Sequence, residues 1–318
     1  MRLITSAQLA ELADLPGLIE AIDAAMRRVS AREVDLPLRT AMTLAGGNRF
    51  GIMPGRLSSP DTYGAKLLSL FPDNPRHGRS SHAGLMLIFH PETGLPRGCI
   101  AASGLTALRT AAASAVATRA LARPEAATLA LIGCGEQAAT HLAALRLVRP
   151  ITRVLVWGRD AARAQAFAEH HGAESAAAIA DAIAPADIVC TVTDAPTPLL
   201  HPAMLHPGLH INAVGASTPT RQEIATDCLP LLRLFTDYLP SLEAQAAEII
   251  DARRRGVIGA DHPITEIGSV LDGAVGRQNP REITLYRSLG VAAQDLAAAD
   301  YAIGRAEAAG IGTLVDMQ

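Results

Sequence analysis

An apolar run, Leu129-Ala-Leu-Ile-Gly-Cys-Gly-Glu-Gln-Ala138, is followed about twenty residues later by a second, Val154-Leu-Val-Trp-Gly-Arg-Asp160. The first ends in Gly133-x-Gly135-x-x-Ala138. The second carries Gly158, Arg159 and Asp160 at its end. Strand, glycine turn, helix and second strand at this distance compose a βαβ unit of the kind that binds a dinucleotide. Gly133 permits the tight turn, Gly135 lets backbone N–H groups approach a pyrophosphate, and Ala138 keeps the helix close to the sheet. The helix N-terminus favours the negative charge. Glycine turns also close ordinary αβ units, but here the strand context, the helix and the second strand agree.

The second strand end bears on the choice of dinucleotide. NAD sites place an acid at the strand tip for the ribose 2′-OH, whereas an arginine nearby accepts a 2′-phosphate. Here the tip is Gly158 followed by Arg159. Asp160 comes two positions late, where it can cap the next helix. The pattern favours NADPH, with NADH as the second cofactor to test.

From Ala127 onward, strands are expected at 128–132, 153–157, 187–192, 209–214 and 232–236, with helices between most of them. This alternation predicts a Rossmann-type, doubly wound parallel sheet in an α/β protein. Two or three helices follow, at 241–255 and about 290–309, around a loop at 268–282. Upstream the pattern differs. Residues 6–30 show helical periodicity with Ser6 as N-cap. Short apolar segments at 50–53, 65–70, 84–89 and 98–101 alternate with Gly, Pro, Asn and Asp, and His90-Pro-Glu-Thr-Gly94 reads as a hairpin turn. This segment is expected to be an antiparallel, meander-like sheet in an α+β domain. A long alanine-rich helix at 106–122 then stops at Arg123-Pro124. The expected domains are 1–115, completed by a C-terminal helix within 290–318, and a nucleotide-binding domain at 116–289.

At 318 residues the chain suits two domains. Its net charge of −3 and lack of a long basic run argue against a nucleic-acid partner. No uninterrupted apolar stretch approaches the roughly 18 residues of a membrane span. The N-terminus lacks a signal-peptide pattern. Cys99, Cys134, Cys190 and Cys228 are isolated, which fits a reducing cytoplasm. The histidines show no metal-ligand spacing, so no metal is expected.

Three cations and one histidine stand out. Arg109 sits among small residues, where its planar fork suits a substrate carboxylate or a cofactor phosphate rather than packing. Lys66 lies in an apolar strand. It is either a solvated edge-strand lysine or a buried one that must pair with a charge or lose its own. Arg39 reads equally as a loop salt bridge or a substrate contact. His82, after Ser80-Ser81, is a candidate contact to substrate or cofactor.

Several segments match a family. Leu36-Pro-Leu-Arg-Thr40, Gly51-Ile-Met-Pro54, Gly64-Ala-Lys-Leu67, Pro72-Asp-Asn74 and Thr106-Ala-Leu-Arg-Thr-Ala-Ala-Ala-Ser114 come first. The glycine turn, Gly208-Leu-His-Ile-Asn-Ala-Val-Gly-Ala-Ser217 and Ser288-Leu-Gly-Val-Ala-Ala-Gln-Asp295 follow in the same order. The chain resembles the ornithine cyclodeaminase/μ-crystallin family over nearly its whole length. The resemblance implies an N-terminal substrate and dimerisation domain, a Rossmann domain, a homodimer and nicotinamide-dependent chemistry. It implies that Arg109 holds a substrate carboxylate, that Lys66 lies in the active site and that Thr110 contacts a cofactor phosphate. The remaining cofactor contacts are expected at Gly133, Gly135, Glu136 and Gln137, at Gly158 and Arg159, at Thr191, Val192 and Thr193, and at Val214 and Gly215.

One departure selects among the family's activities. The cyclodeaminase branch carries an aspartate where this chain has Ser217, and a glutamate just before its Met-Pro pair where this chain has Phe50-Gly51-Ile52. A serine cannot act as a carboxylate base at neutral pH, but it can hydrogen-bond an imine nitrogen or a water. Ser217 resembles the ketimine-reductase branch. The expected reaction is NAD(P)H-dependent reduction of a small cyclic ketimine acid, Δ1-pyrroline-2-carboxylate to proline or Δ1-piperideine-2-carboxylate to pipecolate, with Lys66 and Ser217 catalytic and Arg39, Lys66, Arg109 and His82 binding substrate. The alternatives are an ornithine cyclodeaminase with bound NAD+, a linear imino-acid reductase of alanine dehydrogenase type, and a non-enzymatic NADPH-dependent binding protein.

Overall fold

The computed structural model describes residues 1–77 and 82–317; the side chains of Pro75, Arg76 and His82 lie outside the described residues. The chain divides into two units, Met1–Arg109 with Val291–Gln318, and Thr110–Gly290.

The first unit opens with two helices, Ser6–Leu12 and Leu15–Ser30. Thr5, not Ser6, caps the first. Its backbone is extended, its hydroxyl accepts from the Gln8 amide, and the Gln8 side chain returns the bond in a capping box. Asp14 caps the second helix and Pro16 fills its first turn, which is why one helical period in sequence becomes two helices.

An eight-stranded sheet follows. Its spatial order is Thr313–Leu314, Arg2–Ile4, Pro96–Ala101, His82–Phe89, Asp61–Leu70, Arg49–Ser58 and Val34–Asp35, with Thr40–Thr43 also paired to Arg49–Ser58. The four long strands are antiparallel, as the alternation of apolar segments and turn residues predicts. At 90–95 the hairpin closes through His90 N to Leu95 O and Gly94 N to His90 O, both 2.9 Å. The C-terminal helix Ala292–Ala309 packs on these strands and on helix Leu15–Ser30. Its buried face is mostly alanine, which lets it lie close to the sheet, and it carries Gln294 and Asp295 inward, both fully buried.

The division between the units falls within helix Ala102–Leu121. The second unit is an all-parallel sheet of eight strands. Its order is Glu174–Ser175, Arg153–Trp157, Thr128–Ile132, Ile188–Thr191, His210–Ala213, Thr284–Arg287, Arg233–Thr236 and Ile264–Glu266. The five expected strands are present. The strand Thr284–Arg287, which joins His210–Ala213 to Arg233–Thr236, has no counterpart in the sequence reading. Its four residues are all buried although two are polar, so neither an apolar run nor a period of two marks it. The expected helix 241–255 is two helices, Leu239–Gln245 and Ala247–Arg255, broken at Ala246. The expected loop at 268–282 begins inside a short helix, Ile267–Leu271. No helix among the described residues is long and apolar enough to cross a membrane.

Candidate active site

The sheet order reverses between Thr128–Ile132 and Ile188–Thr191, the place where open α/β sheets bind ligands at their strand C-termini. A cavity of about 770 Å³ opens there. Its lining comes from the residues following three strands: Gly133 to Gly135, Trp157 to Asp160 with Arg163, and Val192 to Thr197, joined by Leu199 and Arg221.

The residues fit a dinucleotide. Gly133 has φ +121°, and a Cβ there would lie 2.9 Å from Val192 O, so only glycine makes this turn without strain. A Cβ on Gly135 would meet nothing within 4 Å. Gly135 is the N-cap of helix Glu136–Arg146, and no side chain caps that helix. Open space in front of uncapped backbone N–H groups is an anion cradle.

The cavity's two acids are already engaged. Asp160 accepts from Arg163 N at 3.1 Å and caps helix Ala161–His171, while Asp194 pairs with Arg221 at 3.0 Å. Arg159 and Arg163, both exposed, are left facing the cavity from the strand tip and the first turn of the next helix.

Of the residues expected against a cofactor, Gly133, Gly135, Gly158, Arg159, Val192 and Thr193 line the cavity. Glu136 and Gln137 open the adjoining helix. Thr110 and Val214 are buried. Thr191 and Gly215 stand behind the rim, where they meet a residue that the sequence reading did not single out. Glu223, 2% exposed, accepts from Thr191 Oγ1 (2.8 Å), Thr193 N (2.7 Å), Thr193 Oγ1 and Gly215 N (2.7 Å). Burial pushes its carboxyl above the usual range, and the Thr193 and Thr191 bonds oppose that rise.

Ser217, half-buried, follows the strand His210–Ala213. The carbonyls that lead to it are held by Arg287, which donates to Ala213 O at 3.1 Å and to Ala216 O and is itself paired with Glu248. Both members of that pair are buried. The missed strand therefore ends in the side chain that holds the carbonyl of Ala216, the residue before Ser217.

In the first unit, Lys66 on strand Asp61–Leu70 is 1% exposed and Arg109 is 6% exposed. The edge-strand reading of Lys66 is thereby excluded. Lys66 Nζ lies 2.8 Å from each oxygen of Asp295. Arg109 Nε donates to Asp295 Oδ1 at 3.0 Å, and its Nη1 donates to Gln294 Oε1 at 2.8 Å. Half-buried Arg39 is close enough to act electrostatically on both Lys66 and Asp295.

Burial lowers the Lys66 ammonium to about 8, with Asp295 opposing the fall and Arg109 and Arg39 adding to it. Burial alone would raise Asp295, but Arg109 and Lys66 hold it below the usual carboxylate range. His82 opens strand His82–Phe89, and its side chain lies outside the described residues. Asp295 and Gln294 were not singled out from sequence as site residues. One compositional signal pointed toward the cluster: Lys66 is the only lysine in a chain whose other basic side chains, histidine aside, are all arginine.

A doubly wound parallel sheet with a glycine turn and an arginine-bearing cavity at its switch point defines a dinucleotide-binding unit, here interrupting an antiparallel-sheet unit in sequence. The chain belongs to the ornithine cyclodeaminase/mu-crystallin family, whose model matches residues 2–310. It is 32% identical over 327 residues to Delta(1)-pyrroline-2-carboxylate reductase of Bacillus cereus (strain ZK / E33L), covering 99% of this chain and 100% of that protein. The fold is similar to Thermococcus litoralis Delta(1)-pyrroline-2-carboxylate reductase in complex with NADH and L-proline, with a TM-score of 0.95, 30% identity, and coverage of 99% and 100% of the two chains. It is also similar to an archaeal alanine dehydrogenase dimer with bound NAD, with a TM-score of 0.93, 29% identity, and coverage of 100% and 99%.

Proposed function

We propose that this chain is an NAD(P)H-dependent reductase of a small cyclic ketimine carboxylate, with Δ1-pyrroline-2-carboxylate as the first substrate to test and Δ1-piperideine-2-carboxylate as the second. The observation that carries the reading is the buried cluster of Lys66, Arg109 and Asp295, together with a serine at 217. The full-length likeness to pyrroline-2-carboxylate reductases supports it.

The nicotinamide, when bound, supplies the hydride. Gly133, Gly135 and the helix beginning at Glu136 would hold its pyrophosphate, and Arg159 with Arg163 a 2′-phosphate, which makes NADPH the preferred donor. Arg109, aided by Arg39, clamps the substrate carboxylate. Lys66 hydrogen-bonds the imine nitrogen and gives it a proton as C2 takes the hydride, so that the C=N bond becomes CH–NH and the lysine is left neutral. Ser217 orients the nitrogen or a water. No carboxylate stands at 217, and Phe50-Gly51-Ile52 precede Met53, so two acids that the cyclodeaminase branch carries are absent, which disfavours oxidation of an amino acid and favours reduction of a preformed imine.

We also propose a homodimer, joined through the first unit. Strand Thr40–Thr43 is exposed throughout, and Leu38, Met42, Leu44 and Leu85 are exposed apolar side chains of this unit. Light scattering at twice the chain mass is the expected result. Four free cysteines, three of them buried, suit a reducing cytoplasm.

The test of function is a panel of cyclic ketimine and linear imino acids assayed for NADPH and NADH oxidation, run beside L-ornithine assayed for ammonia. Oxidation of NADPH with the five-membered ketimine and no ammonia from ornithine is expected. Ammonia release without added reductant would reassign the chain to the cyclodeaminase branch.

A further inference from the structure

We propose that Asp295 is a positioning residue that keeps Lys66 charged at neutral pH and so sets the pH range over which the chain can deliver a proton. This rests on the reductase reading above. The geometry is one buried carboxylate, Asp295, set against Lys66 and Arg109 inside one unit, with Arg39 near enough to act on both Lys66 and Asp295. Asp295 is fully buried on helix Ala292–Ala309, and both its oxygens lie 2.8 Å from Lys66 Nζ. Among the described residues it is the only hydrogen-bond partner of Lys66. The other charged groups acting on the lysine are Arg109, from helix Ala102–Leu121, and Arg39, from the segment before strand Thr40–Thr43, and both repel a proton there. A lysine at 1% exposure with two guanidinium neighbours and no countercharge would be neutral. Neutral, it has no proton to give an imine.

The same carboxylate orients the clamp. With Nε of Arg109 bonded to Asp295 and Nη1 to Gln294, the guanidinium is held by two neighbours on one helix, leaving Nη2 unengaged among the described residues. Composition supports a titrating role for position 66. Every other side chain of the Lys/Arg type in this sequence is arginine, which keeps its proton throughout the physiological range. The single lysine is the one fully buried at this site. A balanced pair results: Asp295 favours the proton, burial and the arginines oppose it, and the ammonium settles at about 8, charged at pH 7 yet able to release.

The lone lysine makes the test direct. Protein grown on [ε-13C]lysine gives one lysine signal, which is Lys66, and its pH titration needs no substrate. In the wild type the midpoint is expected near 8. In Asp295→Asn it should fall by about 1–3 pH units, and in Asp295→Glu it should return toward the wild-type value. A folded Asp295→Asn protein with an unmoved midpoint would overturn the proposal. If Asp295→Asn does not fold, the wild-type and Asp295→Glu titrations decide. A wild-type midpoint below about 7 overturns it, because the lysine is then not held charged. A wild-type midpoint near 8 that Asp295→Glu keeps above about 7 supports it. The activity arm measures kcat/KM against pH with Δ1-pyrroline-2-carboxylate. Its alkaline limb should move with the titration midpoint in Asp295→Asn, whereas a purely structural role would lower activity equally at every pH. If the wild type reduces no ketimine, the functional reading fails while the titration still judges Asp295.

Discussion

Both the amide and the hydroxyl of Thr193 donate to one oxygen, Oε1, of the buried Glu223 carboxylate. The other oxygen accepts from Gly215 N and Thr191 Oγ1. One carboxylate thus ties together the ends of two adjacent strands at the cavity rim. Glu223→Gln keeps the shape but replaces one acceptor oxygen by an NH2 group, so two of the four donors face another donor. An unsatisfied buried donor costs about 1–3 kcal/mol. The expected result is NADPH affinity weakened about tenfold or more, read by fluorescence titration, with a smaller change in KM for the imine. Unaltered NADPH affinity in the folded variant would remove Glu223 from the cofactor site.

Cofactor choice should follow the two cavity arginines. Arg159→Ala is expected to weaken NADPH by roughly 10- to 150-fold and NADH far less, because a charge-assisted contact to the 2′-phosphate is lost. Arg163→Ala should act in the same direction. Equal losses for both nucleotides would show that these side chains do not read the phosphate.

Arg109 and Lys66 should fail differently. Arg109→Ala removes the proposed carboxylate clamp, which would act in both ground and transition states, so KM should rise strongly, and misplaced substrate should also lower kcat. Lys66→Met keeps much of the buried volume but removes the proton, so kcat should fall by about 10²–10⁴-fold. Near-normal kcat with only a raised KM would make Lys66 a second carboxylate anchor, and Ser217→Ala would then be the variant to test for proton delivery.

Acid stability should depend on His210. It is fully buried in the parallel sheet with Nδ1 2.9 Å from Thr284 Oγ1, and burial, with Arg277 and Arg149, lowers it to about 3. An unfolded imidazole takes its proton near 6.5. Between those values the unfolded chain binds more protons, so stability present above 6.5 is lost as the pH falls toward 3. His210→Gln removes this titration. Its Tm should fall less than that of the wild type between about pH 7 and pH 5. Parallel curves would show that His210 does not control acid unfolding.

Much of this organisation is legible in the amino-acid order because it rests on local rules. The glycine turn, the five parallel strands and the antiparallel meander each carry a period or a conformational requirement within about ten residues. What escaped is non-local. Strand Thr284–Arg287 is buried despite its polar ends because Arg287 finds Glu248, 39 positions away. Glu223 looks like any loop acid until Thr193, 30 positions earlier, is folded against it. Asp295 reads as an ordinary first-turn helix acid, which favours a helix N-terminus on its own account, until strand Asp61–Leu70 brings Lys66 to it. Ser6 and Thr5 are both good caps, and only the backbone angles distinguish them.

The partners in the Lys66–Asp295 pair are 229 positions apart, with the entire second unit encoded between them. On the ribosome the lysine is made well before its counter-ion. Every residue of the nucleotide-binding unit has been synthesised before Asp295 joins the chain. A polypeptide that ends before Val291 lacks both the helix that packs on strand Asp61–Leu70 and the carboxylate that pairs with Lys66. The buried ion pair can therefore assemble only once helix Ala292–Ala309 has been made.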